Sequence, residues 1–277
     1  MDENRWNFDE IDWPTTSFNL RSHLVLAARR GSEAHGTYIP PEDATGVDDR
    51  DVLGIVVSPL DHYMGVRNDW SKAEAQSIKG PWDVVLYDAR KYVRLLMAQN
   101  PNILMSLWCE PEDYLYISEF GRALLGMREH FKGRHAFHDA CVGYARGQLY
   151  KMTHGSLGTG YMGEKRKALV EQFGYDCKNA AHLLRLLYMG AEFHKEGVLH
   201  VRRTWDRERL IDIKRGKHTL QEVSKMAEDA FREANAAYAE SVLPEKVDTD
   251  LINKVFTEMM TGWFFRLQLK TLRLQEG

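Results

Sequence analysis

The sequence predicts an α/β (α+β) protein, with a small mixed-sheet head over residues 1–125 and a mostly helical C-terminal half over 126–277. Three observations predict it. Short apolar runs bounded by turn residues recur in the first hundred residues. Apolar residues at three- and four-residue spacing dominate from about residue 112 onward. Charge also divides: residues 1–60 hold 11 acids against 5 bases, so the rest of the chain is net positive although the whole stands at −3.

The elements follow in order. His23–Ala28 reads as a strand entering the turn Gly31-Ser32-Glu33-Ala34-His35-Gly36. Pro40, Pro41 and Gly46 mark residues 37–47 as a loop or hairpin. It returns the chain to a second strand, Asp51–Val57, which Pro59 closes. The polar stretch 61–80 reads as a loop with a short helix, and Asp83–Tyr87 as a third strand. Asp88 is placed to N-cap a helix over Ala89–Met97. Asn100-Pro101-Asn102 breaks that helix, and Ile103–Trp108 begins another element. Helices are then expected over Ser118–His130, His135–Met152, Lys165–Phe173, Lys178–His194, Leu220–Val242 and Leu251–Leu274.

Composition narrows the class. With 277 residues, 44% hydrophobic and 28% charged, the chain can bury a sizeable core and reads as an ordinary soluble protein. No apolar run is long enough to span a bilayer, and the N-terminal residues lack a signal-peptide core. Cys109, Cys141 and Cys177 are odd in number and widely spaced, so neither a disulfide framework nor a structural zinc site is expected. A reducing, cytoplasmic setting fits.

The most informative stretch is the Gly-Ser turn followed by Asp49-Arg50-Asp51 at the head of an apolar strand. Residues i and i+2 of a strand point to one side, so Asp49 and Asp51 aim both carboxylates at one face. Two anions held that close repel unless a cation sits between them. Hard oxygen ligands, with water and phosphate completing the shell, suit Mg²⁺ or Mn²⁺. Gly31 permits close backbone approach, and the hydroxyl of Ser32 with the N–H groups of the turn can cradle phosphate oxygens. His35, inside the same motif, is placed either to touch phosphate or to pack beside the sheet. An Asp-x-Asp pair by itself is usually a solvated acidic turn; its pairing with the Gly-Ser turn carries the signal.

These motifs, with Tyr87-Asp88-Ala89-Arg90-Lys91, Asn100-Pro101-Asn102 and the run Tyr175-Asp176-Cys177-Lys178 through Leu187, resemble a known family. It is the bacterial and phage predicted nucleotidyltransferases of the DNA polymerase β superfamily, associated with RNA repair. The resemblance covers most of residues 20–245. It implies a mixed-sheet nucleotidyltransferase fold and Mg²⁺-dependent transfer of a nucleotidyl group from a nucleoside triphosphate, without naming the acceptor. The chain departs from the family at Met105-Ser106, where relatives often place a carboxylate. Chemistry of this kind uses a third acid on a neighbouring strand. Asp83 is the expected third carboxylate and metal ligand, and Asp88, better placed as a helix N-cap, is the competitor.

In the helical half, Lys178, His182 and Arg185 lie four and three residues apart, on one narrow stripe of an otherwise apolar helix. Polar tips on a buried helix need partners. The stripe is expected to contact phosphate and base from the helical side of a nucleotide pocket; a salt bridge from Arg185 to a head acid is the structural alternative. Tyr144, Gln148 and Lys151 share a helix face that could line the same cleft. His130, His135, His138 and Cys141 lack the paired spacing of a zinc site. Basic clusters at Lys165-Arg166-Lys167, Arg202-Arg203 and Lys214-Arg215 with Lys217 read either as solvated helix faces or as a flank for single-stranded or structured RNA. The expected acceptor is thus an RNA 3′ end, with a protein or small-molecule hydroxyl, or a catalytically idle nucleotide- or RNA-binding protein, as alternatives.

Overall fold

Five strands form one mixed sheet in the order β3-β4-β2-β1-β5 in the computed structural model, which describes residues 8–66, 73–154 and 163–275. In chain order the head holds α1 (Leu20–His23), β1 (Leu24–Arg29), α2 (Gly31–Ala34), β2 (Arg50–Val56), α3 (Leu60–Met64), β3 (Glu74–Lys79) and β4 (Trp82–Asp88). It continues with α4 (Ala89–Met97), α5 (Pro101–Leu104), β5 (Tyr114–Ile117) and α6 (Glu119–Gly126). Behind it come α7 (Arg134–His154), α8 (Glu164–Phe173), α9 (Cys177–Glu196), α10 (Arg207–Lys214), α11 (Leu220–Ala239) and α12 (Thr249–Gln275). The fold is α+β with a helical C-terminal half, as the periodicity predicts.

Three elements depart from the sequence reading. The polar stretch 61–80 contains a strand, β3, which pairs antiparallel with β4 through a two-residue turn. Gly80 opens that turn at φ +58°, a conformation suited to tight hairpins. β3 is polar and largely solvent-facing because it is the sheet edge, so no apolar alternation betrays it. Residues 67–72 of the same stretch lie outside the described residues. Tyr114–Ile117, inside the region read as helical, is the opposite edge strand, pairing antiparallel with β1. It is only four residues long, but aromatic and β-branched. Finally, Arg207–Lys214 is helical; its dense charge hides a buried face of Leu210, Ile211 and Ile213.

The sheet is covered on both sides. One face packs Leu53, Ile55 and Val57 against Tyr92 and Leu96 of α4, in a core that also takes in Phe137 of α7, Leu186, Met189 and Phe193 of α9, and Ile252 of α12. The other face carries Leu24, Val52, Val56, Val84 and Leu86 under Ile11, Trp13 and Phe18 of the N-terminal segment. Strands buried on both faces show no polar alternation, which is why β1, β2 and β4 read as short continuous apolar runs. A second core lies among α7, α9, α10 and α11. α9 belongs to both cores, so its register fixes how the helical part sits against the sheet. α12 returns to the head, setting Phe256 and Trp263 edge-on to Phe120 of α6. No described helix is long and apolar enough to cross a membrane.

Candidate active site

A cleft of about 350 Å³ opens between the start of β2 and β4 on one side and α9 on the other. Its size suits a small-molecule ligand. It brings together nine of the residues expected from the sequence, with Gly31, Ser32, His35, Asp49, Asp51, Asp83, Lys178, His182 and Arg185 all lining it, whereas Tyr144, Gln148 and Lys151 lie outside its lining. Arg30, Thr37, Asp48, Asn102, Met105 and Lys214 join them.

The acidic wall begins with register. β2 and β4 run parallel, and Asp51 is the direct partner of Asp83. Neighbouring strands lie about 4.8 Å apart, so the two carboxylates project side by side from the same face. That face is the helix-covered one, because Asp51 shares it with Leu53 and Ile55. Burial raises the Asp51 carboxyl to about 6; the Arg30 guanidinium opposes that rise, and the Asp83 charge adds to it. Gly31 sits at φ +60° with its backbone pressed against Asp51: a Cβ there would come within 1.9 Å of Asp51 Oδ2. Only glycine permits both the dihedral and the approach.

Asp88 has a different life at the other end of β4. It is buried, accepts from the Arg90 N–H at 2.9 Å as the N-cap of α4, and accepts from Ser58 Oγ at 2.6 Å and from the Tyr63 hydroxyl. It lies outside the cleft lining. Met105 lines the cleft, while Ser106 is buried and bonded to Tyr92 Oη at 2.7 Å and the Ile103 carbonyl at 2.6 Å.

The opposite wall is cationic. Lys178, in the first turn of α9, donates to the Val47 carbonyl at 2.9 Å and stands 3.7 Å from both Asp48 and Asp49. Arg185 is buried, and among the described residues its guanidinium pairs with no carboxylate; its contact is the Met189 sulfur at 3.1 Å. Burial, with the neighbouring Arg203, lowers it to about 9, so it is still a cation at neutral pH. Among the described residues no salt bridge joins it to a head acid. His182 faces the same space, with an Nε2 that is buried and has no hydrogen-bond partner among the described residues. Burial and Arg185 hold that ring neutral by lowering its pKa well below the usual range.

His35 is buried and bonded through Nδ1 to the Val201 carbonyl at 2.9 Å. A carbonyl only accepts, so Nδ1 carries the proton and Nε2 is an acceptor. Burial keeps the ring neutral. In this state His35 presents no N–H to phosphate from Nε2, so it packs and fixes the α2 turn while lining the cleft.

Sequence reasoning missed the counter-ions. Asp48 is buried, accepting from the Ile39 N–H at 2.8 Å and from the Lys214 ammonium, which also donates to the Thr37 carbonyl at 2.7 Å. This pair ties the 37–48 loop to α10. Arg30 Nη2 stands 3.7 Å from Asp51 Oδ1 and 3.5 Å from Asp83 Oδ1. Its signal was available, a cation directly before Gly31-Ser32, but its direction was not.

The basic clusters make ion pairs and hydrogen bonds within the chain, buried at Arg203 and Lys214 and solvent-exposed at Lys167, Arg215 and Lys217. Arg203 is buried between Glu192 and Asp206, and Arg202 pairs with Asp113 at 2.9 Å. Lys165 caps the Pro41 and Asp43 carbonyls at 2.6 Å, Arg166 pairs with Asp176, and Arg215 pairs with Asp43. Lys167 and Lys217 pair with Glu164 and Asp212. On α7, Tyr144 bonds to the Asn100 side chain, and Gln148 is buried. His135 bonds to the Tyr238 hydroxyl, His138 stacks on the Tyr238 ring, and buried Cys141 faces the Leu186 carbonyl.

Four carboxylates, those of Asp48, Asp49, Asp51 and Asp83, thus line one cleft with a buried guanidinium that pairs with no carboxylate among the described residues. The family model of RlaP, the RNA repair pathway DNA polymerase beta family, matches residues 7–258. The chain belongs to this family. Its family name makes it a polymerase-β-like nucleotidyltransferase of an RNA repair pathway. No curated protein and no solved structure matches the chain.

Among the described residues no three His, Cys, Asp or Glu side chains surround one point as ligands of a single ion. Asp51 and Asp83 are turned to Arg30, and Asp49 to Lys178. The donor set nonetheless fits a hard divalent cation, which is commonly held by one or two carboxylates with water and phosphate completing its shell. Asp51 and Asp83, adjacent by register and facing a cation already, supply such a pair.

Proposed function

We propose that this RlaP-family chain transfers a nucleotidyl group from a nucleoside triphosphate to an acceptor hydroxyl, an RNA 3′ end first among candidates, with release of pyrophosphate. The observation that carries the reading is the register pairing of Asp51 with Asp83, facing across one cleft a buried guanidinium with no carboxylate partner among the described residues. An anionic pair opposite a cation held in no ion pair among the described residues suits a ligand that brings both metal and phosphate.

Asp51 and Asp83, with Asp49, would hold Mg²⁺ or Mn²⁺, whose charge would favour attack at the α-phosphate. Gly31 lets the turn approach closely, so that Ser32 and the backbone N–H groups of α2 receive the outer phosphates. Arg185 offsets phosphate charge from the helical wall, where the dry surroundings strengthen the attraction. His182, neutral and with an unsatisfied Nε2, is positioned for a single hydrogen bond to the base or sugar. Catalysis is then chiefly alignment and charge stabilisation. The acceptor rests on the family's RNA repair association alone, since the basic clusters are engaged within the chain.

The test is incorporation of each of four labelled nucleoside triphosphates into RNA, DNA and total protein, with and without Mg²⁺. Metal-dependent label on RNA is expected, falling by about a hundredfold or more in Asp51→Asn, as for loss of a group that stabilises transition-state charge. Label on protein alone would move the acceptor to a protein hydroxyl. No labelling of any acceptor, with triphosphate binding retained, would leave a nucleotide-binding protein without transfer.

A further inference from the structure

We infer that Arg30 is the resident counter-ion of the Asp51–Asp83 pair, holding the place of the divalent cation until metal displaces it; this rests on the reading of those acids as metal ligands. Register forces the two carboxylates together, and only a cation makes that arrangement tolerable. Arg30 supplies it from the residue next to the Gly-Ser turn. Its backbone N–H is bonded to the Asp51 carbonyl at 2.9 Å, so the side chain starts from a fixed point on β2.

The contacts are loose. Nη2 lies 3.7 Å from Asp51 and 3.5 Å from Asp83, whereas a charge-assisted hydrogen bond to carboxylate closes to about 2.8 Å. The Arg30 Nε is buried with no hydrogen-bond partner among the described residues. Asp83 satisfies its Oδ1 separately, from Gln76 Nε2 at 2.8 Å. The guanidinium therefore balances charge without forming the bidentate clasp of which it is capable. A small divalent cation, which Asp51 and Asp83 would hold, would compete for the place the guanidinium takes.

Lys178 repeats the device on the other side, 3.7 Å from Asp48 and Asp49. Asp48 has its own partner in Lys214, so Asp49 is the carboxylate for which Lys178 is held in reserve. Two charges, one from each wall, sit on the acids. Exchange for metal turns both toward the cleft, where the triphosphate brings the anions they lose. Metal and triphosphate binding are thereby coupled, each lowering the cost of the other.

The experiment is Mn²⁺ binding to the full chain at low ionic strength without nucleotide, read by the electron paramagnetic resonance of the unbound ion. Arg30→Gln and Arg30→Met should bind Mn²⁺ about tenfold or more tightly than the wild type, since a cation this close biases a carboxylate by that order. Asp51→Asn should bind it weakly. In the wild-type chain, Mg²⁺ alone should shift the Arg30 Nε–H nuclear magnetic resonance signal, a readout independent of any variant's folding. Arg30 variants with wild-type or weaker affinity, or an Arg30 signal that does not move once Mg²⁺ is bound, would overturn the inference. If Asp51→Asn loses Mn²⁺ while the Arg30 variants match wild type, the metal site stands and only the counter-ion role fails. If no form of the chain binds Mn²⁺, both readings fall.

Discussion

The two walls of the cleft solve the problem of buried charge in opposite ways. On the sheet wall, acids are crowded by register and lent cations: Asp51 and Asp83 face Arg30, and Asp49 faces Lys178. On the helical wall a cation, Arg185, is buried and pairs with no carboxylate among the described residues. Other buried charges are paired within the chain, as with Arg203 between Glu192 and Asp206 and Lys214 on Asp48. Burying an ion without a partner costs several kcal/mol, so a protein that balances charge well in one place and not in another marks where a ligand completes the account.

β4 sharpens the comparison, because it carries one aspartate of each kind. Asp83→Asn should lower transfer by about a hundredfold or more while leaving the melting temperature unchanged or raised, because one like charge leaves a crowded pair. Asp88→Asn should do the reverse. It keeps an acceptor for the Arg90 N–H but weakens the bonds from Ser58 and Tyr63, costing about 1–3 kcal/mol of stability with turnover preserved. Steady-state rates and thermal melts on both variants separate the two; loss of activity in Asp88→Asn alone would reverse the assignment.

The helical wall can be broken next. Arg185→Met removes a buried charge and replaces it with a side chain of similar reach, so stability should hold or rise. Triphosphate affinity should fall by about 1.5–3 kcal/mol, the worth of a hydrogen bond to a charged group. Calorimetric titration beside a thermal melt measures both. Unchanged affinity with a lower melting temperature would make Arg185 a packing residue.

The smallest effect concerns acid. Burial holds His194 at about 4, from an ordinary 6.5, and pushes His35 and His182 well down. A histidine whose folded pKa is depressed binds its proton more readily when unfolded. Stability is thus full above about 6.5 and declines as pH falls toward 4. For His194 the loss at pH 5.5 should be roughly 1 kcal/mol after allowance for solvent screening, a shift of a few degrees in melting temperature. His194→Gln, keeping a side-chain amide near Ser241, should flatten that decline. An unchanged slope would assign it to His35 and His182, at the cleft.

The main elements were legible because their signals are local. Apolar runs marked β1, β2 and β4, three-and-four spacing marked α7, α9 and α11, and Asp88 stands as the N-cap where side-chain chemistry favours it. The edge strands and α10 were not legible, since an edge strand has no buried face to alternate and α10 hides its apolar stripe under charge. For the cleft, Asp49 lies just before β2 begins at Arg50, outside the two-residue periodicity expected of it, whereas helical spacing set Lys178, His182 and Arg185 on one stripe. That stripe is a consequence of backbone geometry over a few residues, and sequence alone determines it. That Asp83 lies beside Asp51, that Arg30 turns back onto both, that Arg202 pairs with Asp113 and that Arg203 is buried between Glu192 and Asp206 were decided only by the tertiary structure. Each depends on which distant strand or helix comes alongside. An ion pair takes its partner from whatever charge the packing brings within about 4 Å, and no local pattern encodes that distance.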